Sequence, residues 1–260
     1  MNPRRRRSHL RRLLRQAVRG DAEAFVALAD PYFDLITEYL VLSGITKGHD
    51  LHSKAAEILH EIWKFLPFMH RVSDFERILV TTLFSVRQRD RTPAENPCRA
   101  KLQSLNPREK VAFLARDFEN WDYGWTATAL RVPRKDLGEI LIGIRCGLLG
   151  IDLADLDKDS ATCIRKLSLD FDGQHAPKEK KRICQRLGHL PKAREFKSGW
   201  LNLRCELIEL RQEIRLPEEE KEALLNSLIP ELRADAMIQV PLLERFANWW
   251  NFRQTSATAI

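Results

Sequence analysis

Leu105-Asn-Pro-Arg-Glu-Lys110, followed by Phe118-Glu-Asn-Trp-Asp-Tyr123, Ala127-Thr-Ala-Leu-Arg-Val132 and Ile140-Leu-Ile-Gly-Ile-Arg145, is the stretch from which the fold can be read. A compact helical unit runs from Leu102 to about Gly150, with the layout helix, short turn, helix, turn, helix, as in a helix-turn-helix unit or a small helical bundle.

Outward from this stretch the apolar spacing stays helical. Leu10, Leu13, Leu14, Ala17 and Val18 recur at steps of three and four, and Phe25, Val26 and Leu28 resume after Gly20-Asp21, where Asp21 suits an N-cap. Further helices are expected through Tyr32 to Leu40, ending near Gly44, from Leu51 to Leu66, and from about Asp74. No alternating run of strand length competes, so the chain reads as all-α.

Residues 90–101 carry two prolines and little apolar material, which marks a linker. Ile151 to Ser160, with Asp152, Asp155, Asp157 and Asp159, marks a second boundary. The last three acids are spaced as in a calcium loop. Ser160 stands where that loop needs glycine and Lys166 where it needs a bidentate glutamate, so solvated linker and helix caps are the better account. The expected organisation is a basic arm over 1–20, a helical domain over 21–92, a linker over 93–101 and a helix-turn-helix domain over 102–150. A third helical domain over 151–216 and an extension over 217–260 complete it.

The chain has 260 residues, 44% of them hydrophobic, and a formal charge of +7. That size buries a core without disulfides or metals. Eight arginines lie in residues 1–20 with no acid, which leaves the remainder at −1. Arg4, Arg5, Arg6, Arg7, Arg11 and Arg12 are therefore the candidates for a flexible, sequence-independent nucleic-acid arm. The same run also reads as a solvated basic helix face, or as a tail that docks on the chain's own acidic segment Glu218-Glu-Glu-Lys-Glu222.

No stretch approaches the roughly 18 apolar residues of a membrane span, and no apolar signal core follows the arginines. Five cysteines without a CxxC pair fit reduced thiols, so no membrane partner and a cytoplasmic location are expected. No phosphate-cradling glycine loop, nucleophile motif or metalloprotease motif occurs, so neither catalysis nor a cofactor is expected. His52, Glu57, His60 and Glu61 share helical spacing, but core packing explains that helix better than a metal site does.

The stretch quoted first resembles region 4 of the extracytoplasmic-function (group IV) sigma-70 factors. Leu105, Pro107, Arg108, Arg116, Glu119, Tyr123, Ala127, Ala129 and Leu130 carry the resemblance without a gap. The N-terminal third resembles region 2 of the same family through Gly20-Asp-Ala-Glu-Ala-Phe25 and through Asp50, Glu57, Trp63, Lys64, Leu66, Pro67 and Phe75. The resemblance implies a transcription initiation factor. RNA polymerase core would dock on Asp50, Glu57 and Trp63, and promoter DNA would be contacted by Arg131, Arg134, Lys135 and Arg145.

Several positions depart from the family. Ser53 and Ala56 replace polar docking residues, and Ile78 and Thr81 stand where the family opens the promoter with Trp and Arg. Gly138, Ile140 and Gly143 replace the basic residues of the recognition helix, and each glycine weakens that helix by roughly 1 kcal/mol relative to alanine. A DNA reader and a helix-turn-helix kept as scaffold both remain open.

Residues 167–204 resemble a zinc-type anti-sigma domain through Asp172-Gly173, Pro191, Arg194 and Trp200. Arg186, Leu190 and Ala193 occupy its ligand positions, so no metal is expected there, and Leu190 and Ala193 should fill the space with apolar packing. Together the resemblances imply a sigma-type factor whose fused C-terminal domain gates its activity. The alternative is a protein-interaction regulator on a degenerate sigma scaffold.

Overall fold

A computed structural model describes residues 3–87 and 96–237. It is all-helical, with α1 (Pro3–Ala17), α2 (Ala22–Leu42), α3 (His49–Phe65), α4 (Val72–Ser85), α5 (Pro97–Ser104), α6 (Pro107–Phe113), α7 (Tyr123–Leu130), α8 (Arg134–Leu149), α9 (Lys158–Phe171), α10 (Pro177–Leu187), α11 (Pro191–Ile214) and α12 (Glu218–Met237). No strand occurs among the described residues. They fall into two compact units, one of residues 3–41, 45–87 and 216–237, the other of residues 42–44 and 96–215.

In the first unit α2 is buried on almost every face, including Phe25, Phe33, Leu35, Ile36 and Tyr39. It is one helix through Pro31 rather than the two expected. Proline removes one backbone donor, and burial of the flanking turns holds the helix together across that gap. Asp21 caps it by accepting from the Ala24 amide at 2.9 Å, as its position in the sequence suggested.

The expected flexible arm is instead α1. Leu10, Leu13, Leu14 and Ala17 bury on one side, while Arg11, Arg12, Arg15 and Arg19 stay exposed. Of the three readings of the arginine run, a solvated basic helix face is what Arg11, Arg12 and Arg15 form, because the apolar stripe anchors α1.

The linker assigned to 93–101 is half helix: Asn96 accepts from the Cys98 and Arg99 amides and starts α5 at Pro97. Residues 93–95, and the aromatic cluster Phe246 to Phe252, lie outside the described residues. Two further boundaries are corrected. Gly150 turns the chain at φ 69°, yet α8, α9, α10 and α11 bury one core of Ile142, Cys146, Cys163, Ile164, Leu167, Ile183, Leu187, Ala193 and Phe196. Residues 102–150 and 151–215 are thus one unit. Within the described part of the expected extension, α12 is not separate, since it packs on α3 of the first unit.

The helix starts follow capping chemistry closely. Asn106 and Glu109 exchange side-chain and backbone hydrogen bonds at 3.0 Å, a capping box around Pro107. Asp122 accepts from the Trp125 amide at 3.1 Å, and Asp157 from Asp159 and Ser160 at 3.0 and 2.9 Å. Of the three carboxylates of the suspected calcium loop, Asp157 is thereby occupied as a cap. Ala193 is fully buried, with Leu190 packed on the same core, so both provide the apolar filling expected of them.

Candidate functional site

In the second unit α7, a turn over 131–133 and α8 follow one another where the helix-turn-helix was expected, with Arg131 in the left-handed region at φ 55°. Asp122 and the wider π-type turn Leu114–Phe118 set its lead-in, and that turn points Asp117 at Arg145 of α8 and Arg116 at Asp172. Arg131, Arg134 and Lys135 are exposed at the N-terminal end of α8. Arg145 is not on that surface; its side chain is 1% exposed. The expectation that it touches DNA fails because its charge is used inside the fold.

Arg145 donates through Nη1 to Asp172 Oδ2 at 2.9 Å, to the Ser168 carbonyl at 2.9 Å and to Ser168 Oγ at 2.8 Å. Its Nη2 donates to Asp117 Oδ1 at 2.8 Å and Asp172 Oδ1 at 3.0 Å. Arg116 reaches Asp172 Oδ1 from the other side at 2.9 Å. The Arg145 guanidinium lies 5.2 Å above the Trp200 ring. Two cations and two anions thus balance in one buried cluster.

The electrostatics follow from that burial. Burial works against the Arg145 charge, but Asp117 and Asp172 outweigh it and hold the guanidinium protonated well above its ordinary value. Burial pushes the Asp117 carboxyl up, with Arg145 offsetting only part of the effect. Tyr123 is raised to about 12 by burial and by Asp172, and its hydroxyl donates to the Arg134 carbonyl at 2.8 Å.

Sequence reading singled out Arg116, Arg145, Asp172 and Trp200 in separate contexts, and the fold brings all four together. Asp117 and Ser168 were missed; neither breaks a pattern, and only their place in the fold reveals them. Beyond its first turn α8 buries Leu141, Ile142, Ile144 and Arg145 and leaves an exposed stripe of Glu139, Gly143 and Gly147 that carries no cation. Glu139 pairs with Arg165 of α9 at 3.3 Å, and a Cβ on Gly138 would lie 3.4 Å from Leu169 and 3.0 Å from the Tyr123 hydroxyl.

The first unit holds the expected polymerase-docking helix. Glu57 is exposed on α3 and paired with Lys54 at 2.7 Å, and Asp50 is exposed in its first turn. Trp63 is 8% exposed and meets Phe25 edge-on at 5.1 Å, so it is mainly a core residue. Beside the Asp50–Glu57 stripe, the side of α3 that bears His52 and His60 is covered by α12. Leu224, Leu225, Leu228 and Leu232 are buried, and acidic residues of α12 meet the histidines.

Glu220 lies 3.5 Å from His52, and His60 has Glu231 at 2.9 Å from Nε2 and Asp235 at 3.4 Å from Nδ1. Lys221 is 7% exposed and reaches Asp30 at 2.9 Å. Burial lowers the Lys221 pKa, but the Asp30 hydrogen bond and the charge of Asp34 raise it further, for a net rise. Arg233 pairs with Glu23.

Backbone for Arg4, Arg5 and Arg6 lies within α1. Arg7 is half-buried, and Arg12 approaches His9 at 3.3 Å. No group of His, Cys, Asp or Glu among the described residues has the geometry to hold a metal. None of the described helices is long and apolar enough to cross a membrane. In comparisons with known proteins, no family model, no curated protein and no solved structure matches this chain.

Proposed function

We propose that the chain is a transcription regulator on a sigma-70-like scaffold that works by protein contact, engaging RNA polymerase core through the exposed Asp50–Glu57 edge of α3. In this reading α8 is structural rather than a promoter reader. The observation that carries it is the burial of Arg145, the most basic point left in the second half of α8, against Asp117 and Asp172. A recognition helix needs long free donors facing a groove, and phosphate affinity needs unpaired cations. The exposed stripe of α8 beyond Lys135, made of Glu139, Gly143 and Gly147, offers no cation, and turning Arg145 outward would strand two buried carboxylates.

α12 is the movable element in this reading. It holds on to α3 and α2 through a leucine stripe and a set of mostly solvent-facing ion pairs, next to the edge proposed for docking. Tethering keeps such a segment at millimolar effective concentration, so α12 rests beside the docking edge by default without closing it.

The test is twofold. Immobilised full-length protein should retain purified core polymerase, and Glu57→Lys should abolish retention. The same protein with core enzyme should give no promoter-specific transcript; such a transcript would overturn the reading. The second reading, a promoter-binding sigma factor, is favoured by one observation: Arg131, Arg134 and Lys135 are exposed at the end of α8 where helix-turn-helix proteins contact bases.

A further inference from the structure

The charge of this protein is concentrated twice, not once. Residues 177–204 contain nine lysines and arginines against Glu179 and Glu195, a net +7 equal to that of the whole chain. Five of the nine lie on α10, an eleven-residue helix that buries only Ile183 and Leu187. Lys178, Lys180, Lys181, Arg182 and Arg186 are all exposed or nearly so.

Some of this charge is compensated and some is not. Lys180 meets Asp170 at 2.9 Å and Arg182 meets Glu179 at 3.6 Å. Glu179 is already held by Lys166 at 2.7 Å, a hydrogen bond that keeps its carboxyl below the usual range. Lys178, Lys181 and Arg186 have no acidic partner among the described residues. Lys166, Arg182, Arg186 and His189 also line one open cleft of about 550 Å³ between α9 and α10.

We propose that this α10 face docks the phosphate backbone of double-stranded DNA without reading its sequence. Lys178, Arg182 and Arg186 repeat every four residues, about 6 Å apart along the helix. That is close to two phosphate steps of one DNA strand, at about 3.4 Å each. The duplex rather than a single strand is indicated by what the face lacks. Single-strand grooves offer aromatic rings for base stacking, and here Phe196 and Trp200, the only aromatics in the basic segment, are buried. An acidic protein partner would need apolar anchors at the centre of its interface, and no large apolar side chain of α10 is exposed.

The inference stands apart from the polymerase reading. It is tested with full-length protein by fluorescence anisotropy on a 30-base-pair duplex of arbitrary sequence, from low to high sodium chloride. Lys178→Gln, Arg182→Gln and Arg186→Gln together should weaken binding at least tenfold at low salt. They should reduce the slope of log K against log salt by about 2 to 3, near 0.9 for each phosphate no longer neutralised. Arg11→Gln with Arg12→Gln on α1 serves as the comparison and should change the slope less. Circular dichroism and thermal unfolding verify that each variant is folded, and Lys181→Gln with Lys192→Gln gives a second, independent neutralisation of the same segment. An unchanged slope in both sets would overturn the proposal. Equal or tighter binding of a single strand of the same length, or of an RNA duplex, would overturn the assignment to DNA.

Discussion

The Arg145 guanidinium grips the Asp172 carboxylate end-on, with Nη1 2.9 Å from Oδ2 and Nη2 3.0 Å from Oδ1. Arg145 belongs to the helix expected to read DNA, and Asp172 ends α9, which the sequence pattern placed in another domain. One fork-shaped pair therefore joins two segments into a single unit. Planar bidentate geometry of this kind is specific to arginine.

Asp172→Ala should destabilise the second unit by about 3–5 kcal/mol, because Arg145 and Arg116 are left facing each other in a buried site. Urea unfolding followed by circular dichroism measures the loss. Adding Arg145→Met should recover part of it, since an apolar side chain of similar length removes the stranded charge. A double variant no more stable than Asp172→Ala would show that the pair contributes little beyond packing.

Lys221 sets an alkaline limit on α12. Its folded pKa is raised, so its contribution is complete below the unfolded value of about 10.4 and is lost as pH climbs through the higher folded value. Unfolding midpoints of the first unit should hold between pH 8 and pH 10 and fall above that. In Lys221→Met the fall over that range should be smaller.

Leu228 and His60 test how α12 is held. Leu228 is 2% exposed, and Leu228→Ala should cost about 2–5 kcal/mol of α12 docking. His60→Ala removes only partly exposed polar contacts and should cost less than about 1 kcal/mol. Amide exchange across residues 218–235 should quicken strongly in the first variant and slightly in the second. The reverse ranking would mean that the ion pairs, not the leucine stripe, hold the helix.

The five thiols should separate into two classes. Burial raises Cys98 and Cys146 to about 11 and raises Cys163 as well, while Cys184 and Cys205 are exposed. The thiolate is the reactive form. An aromatic disulfide reagent at pH 8 should therefore label Cys184 and Cys205 rapidly and the other three only on unfolding. Fast labelling of a third thiol would contradict the packing around α9.

How far the sequence could be read depended on whether a feature is local. The caps at Asp21 and in the Asp152–Asp159 segment were legible, because a capping side chain bonds to amides two or three residues ahead; Asn106 and Asp122 cap by the same local rule but were not singled out. The helical periodicity of α3 and α4 was legible for the same reason. The first twenty residues were misjudged because a count of arginines outweighed the stripe of Leu10, Leu13, Leu14 and Ala17. Subtracting those arginines left a net charge near zero, and that average hid the basic segment from Lys178 to Arg204.

Fold class, helix order and most helix starts of this protein are written into residue spacing and caps, which act over a few positions of chain. Membership of the two units is not. Whether Arg145 faces DNA or Asp172, whether Trp63 is docking surface or core, and whether α12 belongs with α3 all depend on contacts between residues far apart in sequence. A buried charge takes whichever partner the packing brings to it, and no local pattern encodes that partner.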